Sequence, residues 1–110
     1  MAKHGTMTIT GQSGTQYAFE VFSWDTNFND VGAVYVITKR IPKTEGGGSH
    51  TYVYVGETGD LSERFDSHHK IECFAQHGAN CICVHVESGE KSRLVKESDL
   101  IAALNPPCND

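Results

Sequence analysis

The run V-G-A-V-Y-V-I-T at residues 31–38 is apolar at nearly every position and rich in β-branched side chains. Residues of that kind on both faces suit a central β-strand, covered above and below. Residues 51–56 form the next strand, reached by a loop at 39–50 in which Pro42 interrupts pairing and Gly46-Gly47-Gly48 loosens the backbone. Alternation sends Val53 and Val55 to one face and Tyr52, Tyr54 and Gly56 to the other. A nearly symmetric register across the loop then sets Tyr35 opposite Tyr54. The pair reads either as aromatic packing or as part of a polar site, since a phenol inside a core needs a hydrogen-bond partner.

The remaining elements arrange themselves around these two strands. Residues 7–10 and 16–22 read as a β-hairpin turning through Gly11-Gln12-Ser13-Gly14. A polar loop follows at 23–30, pinned by Trp24 and Phe28. After the Thr58-Gly59 turn, Asp60-Leu61-Ser62-Glu63 has the spacing of a capping box. It predicts a helix with Leu61, Phe65 and His68 on one side, Arg64 at the edge of that stripe, and an end near Gly78. His68 is either a satisfied core histidine or, with Arg64 one turn away, part of a polar pocket. The segment C-I-C-V-H-V at 81–86 reads as a third core strand. A last helix runs from about 91 to 104 and stops at Asn105-Pro106-Pro107.

One residue of that last helix breaks the apolar pattern. Leu94, Leu100, Ile101 and Leu104 form an apolar arc, and Glu97 lies within it. A carboxylate there must be protonated, paired or metal-bound, because an unpaired buried charge costs several kcal/mol. An ion pair with Arg64 is the structural alternative to a functional site.

A chain of 110 residues makes one domain with its own core, and no run approaches a membrane span. The first six residues hold one lysine and no apolar stretch behind it, so a cytoplasmic location is expected. Cys73, Cys81, Cys83 and Cys108 contain no C-x-x-C pair, and free, mostly buried thiols are the expectation. Cys81, Cys83 and His85 share one strand face, with a metal set as the alternative. Nine Lys and Arg against fourteen Asp and Glu give a net charge of −5, which argues against strong, non-specific binding to DNA. Lys39, Arg40 and Lys43 supply a local basic patch.

In order, Ala33-Val34-Tyr35, Tyr54-Val55-Gly56, Thr58-x-Asp60-Leu61-x-x-Arg64-Phe65-x-x-His68, Glu97-x-x-Leu100-Ile101 and Pro106-Pro107-x-Asn109 are together similar to the motif series of the GIY-YIG nuclease family. The resemblance covers residues 31–109. It implies an α/β (α+β) sandwich with a three-stranded antiparallel core sheet flanked by helices. Residues 1–30 would then be an accessory hairpin and loop of the same domain, and 31–110 the GIY-YIG-like part.

The resemblance also implies a metal-dependent endonuclease that hydrolyses phosphodiester bonds in DNA, branched or damaged DNA included. Tyr35, Tyr54, Arg64, His68 and Glu97 would be catalytic, with Glu97 binding one Mg²⁺ or Mn²⁺. Lys39, Arg40, Lys43 and Asn109 would serve substrate binding, Asn109 by fixing the tail beside the site. The sequence departs from the family at Ala33, where the first motif has glycine, and at Glu57, which sets a carboxylate near the phosphate. No separate DNA-binding domain is expected beside the motifs. The competing readings are a non-catalytic interaction module and a nuclease module that relies on a protein partner for its grip on nucleic acid.

Overall fold

The structure is a computed structural model and describes residues 3–63 and 65–109. Five strands, β1 (Lys3–Thr10), β2 (Gln16–Ser23), β3 (Ala33–Pro42), β4 (Gly48–Thr58) and β5 (Cys81–Val86), form one antiparallel sheet in the order β1-β2-β5-β3-β4. Two α-helices, α1 (Ile71–Gln76) and α2 (Glu90–Leu104), complete the α+β fold with short 3-10 turns at Phe65–Ser67 and Pro107–Asn109. No helix among the described residues is long and apolar enough to cross a membrane.

The three-stranded core expected from the sequence is enlarged. β3 does sit between β4 and β5, but β2 pairs with the far edge of β5, from Glu20 opposite Val84 to Ser23 opposite Cys81. The hairpin thereby covers a row of main-chain groups that would otherwise be an open edge. α2 packs on β3 and on both edge strands, β1 and β4, so the sheet curls around it. Val34, Val36, Val55, Phe19, Val21 and Leu100 fill the face under α2. Tyr35, Ile37, Ile82, Leu61 and Phe74 fill the opposite face.

Three further expectations change in detail. The loop at 39–50 is mostly strand, since β3 and β4 pair as far as Pro42 opposite Gly48 and leave a turn at 43–47. Gly46 and Gly47 take φ of 98° and 70° there, a conformation that costs glycine little. The register slips between Ile37 and Thr38, which face Tyr54 and Tyr52, so Val53 is an extra residue in β4. The turn, with Pro42 opposite Gly48, already sets the register one residue from the expected one, and the extra residue adds a second. Tyr35 therefore pairs with Gly56 rather than Tyr54, and Val53 and Val55 enter opposite cores.

The helix expected after Asp60 begins only at Ile71. Thr58 Oγ1 accepts the Asp60 N–H at 3.1 Å, and Asp60 Oδ1 accepts the Ser62 N–H at 2.9 Å. These local turns compete with the helix that the same residues would cap. The cysteine expectation is corrected as well: Cys73 and Cys108 form a disulfide, while Cys81 and Cys83 are free and buried. Chain folding brings the tail onto α1, which the spacing of the cysteines does not reveal. α2 ends as expected, with Asn105 in the left-handed region at φ 43° and its N–H on Ile101 O at 2.8 Å.

Candidate active site

Four of the five expected catalytic residues meet. Tyr35 of β3, Tyr54 of β4, His68 before α1 and Glu97 of α2 line one open pocket of about 360 Å³, together with Glu57, Asp60, Glu63 and His69. Arg64 lies outside the described residues.

The strands place the two phenols through a glycine. A Cβ at Gly56 would come within 2.6 Å of the Tyr35 ring and hydroxyl and 2.8 Å of the Tyr54 ring. Only a residue without a side chain lets Tyr35 lie across β4, its ring 6.1 Å from that of Tyr54 and 5.0 Å from that of Phe65. Tyr35 is 5% exposed and Tyr54 half-buried.

His68 is held in a defined protonation form. Its Nδ1 accepts the Lys70 main-chain N–H at 3.0 Å, so in the neutral ring the hydrogen sits on Nε2. Nε2 lies 2.8 Å from Tyr35 Oη and thus donates to the phenol oxygen. Burial, with His69 and Lys70 nearby, pushes the His68 pKa down, which favours this neutral state. Burial pushes Tyr35 well above the ordinary phenol value, with Tyr54, Glu97 and Glu57 adding to the rise. Tyr54 moves the same way through burial and Glu97.

Glu97 is half-buried rather than enclosed in an apolar arc, and Leu94 is 46% exposed. The cause is the position of α2, which buries Leu100 while Glu97, at its middle, borders the pocket. Burial and the neighbouring Glu57 raise the Glu97 pKa, offset in part by the Glu57 main chain. Among the described residues no cation pairs with Glu97.

Glu57 has a partner that the sequence did not suggest. Arg93, 6% exposed, donates from Nε to Glu57 Oε1 at 2.8 Å. Its Nη1 donates to the carbonyls of Glu87 and Ser88 at 3.2 and 2.8 Å. Gly32 leaves the space, since a Cβ there would lie 2.5 Å from Nη1. Arg93 and Glu97 stand one turn apart on α2, and that i, i+4 spacing beside an expected buried acid was the signal available.

The expected substrate-binding residues are not in the pocket lining. Lys39, Arg40 and Lys43 lie four to eight residues along from Tyr35, roughly 13–26 Å at strand spacing. Asn109 uses both ends of its amide on Val55, accepting its N–H and donating to its carbonyl at 2.8 Å each. It fastens the tail to β4 next to Tyr54. The alternative metal set is also absent in this form. His85 reaches Ala18 O at 2.9 Å through Nδ1 and Lys96 Nζ at 2.9 Å through Nε2, with Cys81 and Cys83 buried beneath.

Chemically, the pocket offers the four carboxylates of Glu57, Asp60, Glu63 and Glu97, the two protonated phenols, the neutral imidazole of His68 and the ring of His69. No protein-family model matches the chain, and no curated protein or solved structure is significantly similar to it.

Proposed function

We propose that the chain is a metal-dependent phosphodiester hydrolase of the GIY-YIG type, acting as an endonuclease on DNA. The observation that carries this reading is convergence: Tyr35, Tyr54, His68 and Glu97 come from four separate segments and line one open pocket. A cluster kept only for stability has no need to remain open to solvent.

The donor set fits a hard divalent cation. Glu97 brings a carboxylate oxygen, pressed against Glu57 and without a protein cation among the described residues, and Mg²⁺ or Mn²⁺ favours oxygen ligands. Such an ion would polarise a phosphate oxygen and lower the pKa of a bound water. The protein's own groups then divide the remaining work. Tyr35 stays protonated, and its oxygen already receives the His68 hydrogen, so its own O–H is left to donate, to Tyr54 beside it or to water or phosphate in the pocket. It therefore orients the nucleophile rather than removing its proton. Tyr54 lies beside it as a second orienting phenol, and by resemblance Arg64 would stabilise charge on the phosphate.

The surroundings favour a second component. Glu57, Asp60, Glu63 and Glu97 line the pocket and the basic residues of β3 stand far along the strand, so a partner supplies the grip on the nucleic-acid backbone. The test is cleavage of single-stranded, duplex, nicked and branched DNA, and of RNA, with Mg²⁺ or Mn²⁺. Glu97→Ala should abolish cutting and Tyr35→Phe should lower it strongly, while the fold survives both changes. A Glu97→Ala protein that cuts as well as wild type would overturn the reading.

A further inference from the structure

A second chemical cluster lies outside the pocket. Cys73 and His77 stand one turn apart at the end of α1, where the His77 N–H donates to Cys73 O at 3.2 Å. Cys108 comes from the 3-10 turn Pro107–Asn109. One donor atom from each of the three, two sulfurs and an imidazole nitrogen, lies within 4.8 Å of the others. Cys108 is 1% exposed, Cys73 half-buried and His77 exposed. As described above, the sulfurs are joined in a disulfide.

We propose that this corner is a redox-gated zinc site, a disulfide when oxidised and a Cys73–His77–Cys108 site for Zn²⁺ when reduced. The donor types carry the choice of metal. Two thiolates and an imidazole are the ligands that tetrahedral Zn²⁺ prefers, whereas Mg²⁺ and Mn²⁺ prefer oxygen. Three protein ligands leave the fourth position to water. The helical i, i+4 pair supplies two ligands from a single turn, and the tail brings the third.

The chemistry balances with a thiol reductant. Two thiols of the reductant deliver two electrons and two protons, the Cys73–Cys108 bond breaks to two thiols, and the reductant leaves as its own disulfide. Attack enters at Cys73, the more exposed of the two residues. Zn²⁺ binding then releases the two thiol protons to solvent. In both states α1 stays tied to the tail, so Asn109 keeps its hold on Val55 under oxidising and reducing conditions alike. Cys81 and Cys83 do not compete well: both are buried, and burial pushes Cys83 up to about 12.

The experiment measures Zn²⁺ bound per chain after chelator treatment, metal reloading and desalting, on the reduced and the disulfide forms of the whole protein. Co²⁺ in place of Zn²⁺ reports thiolate ligation by its absorption. Reduced wild type should hold one Zn²⁺ per chain and the disulfide form none. His77→Ala, an exposed change that leaves the disulfide intact, should lose the reduced-state ion, and so should Cys108→Ser. Added Zn²⁺ should also raise the melting temperature of the reduced wild type but not of His77→Ala. Reduced wild type without zinc overturns the proposal, as does His77→Ala or Cys108→Ser with zinc bound as in wild type. None of these readouts depends on nucleic-acid cleavage.

Discussion

The Arg93 guanidinium meets the Glu57 carboxylate at 2.8 Å, with the two side chains only 8% and 23% exposed. This contact decides the charge on one wall of the pocket. By taking up Glu57, Arg93 leaves Glu97, on the same helix, without a cation partner among the described residues. Arg93→Met is expected to lower unfolding free energy by roughly 3–5 kcal/mol, the usual cost of removing one partner of a buried pair. Urea denaturation measures it. Adding Glu57→Gln should recover part of the loss, because the stranded charge is then gone; an unchanged midpoint in Arg93→Met would show that the pair contributes nothing.

Tyr35→Phe separates chemistry from folding. It removes a hydroxyl that bonds His68 at 2.8 Å, at a cost of about 1 kcal/mol in stability. If the phenol orients the nucleophile, metal-dependent cleavage should fall by about a hundred-fold or more. His68→Ala should cost less activity than Tyr35→Phe, since it removes only the group that holds the phenol. The reverse order would make His68 the principal proton carrier.

The tail is fastened twice, by the Cys73–Cys108 disulfide and by Asn109 on Val55. Asn109→Ala should destabilise by about 1–3 kcal/mol, since it leaves main-chain groups of Val55 without partners. The double variant Cys73→Ser/Cys108→Ser should lose about 2–4 kcal/mol. Combining them should cost less than the sum, because a tail released at one point has less to lose at the other. Full additivity in denaturation would mean that the two fastenings act independently.

Acid should loosen the start of α2. Lys96, the Gly89 N–H and the Ser92 hydroxyl hold Glu87 down to about 2 from its ordinary 4.5. A lowered carboxylate pKa gives stability that is fully present above about 4.5 and is lost as pH falls through about 2. Wild type should therefore lose stability over that window, and Glu87→Gln should lose less, as followed by denaturation at stepped pH. Equal slopes would assign the acid sensitivity to other carboxylates.

What the sequence determined by itself is local. The β-branched run before Lys39, the alternation of 81–86 and the helix stop at Asn105-Pro106-Pro107 each depend on neighbours in the chain, and these elements formed close to where the pattern placed them. The resemblance to the GIY-YIG motifs grouped Tyr35, Tyr54, Arg64, His68 and Glu97, and the fold puts Tyr35, Tyr54, His68 and Glu97 in one pocket, Arg64 lying outside the described residues. The GIY-YIG activity they suggest stays a proposal.

Tertiary structure decided the rest. The turn and the extra residue at Val53 changed the partner of Tyr35, because a strand register is set by the ladder as a whole. Thr58 and Asp60 chose turns over a helix cap, a contest between nearly equal local bonds that packing of Phe65 against Trp24, Phe28 and Tyr35 can tip. The β2–β5 pairing joins residues 58 to 64 positions apart, the Arg93–Glu57 contact residues 36 apart and the Cys73–Cys108 bond residues 35 apart. No pattern along the chain encodes such distances; only the folded sheet brings those groups within reach.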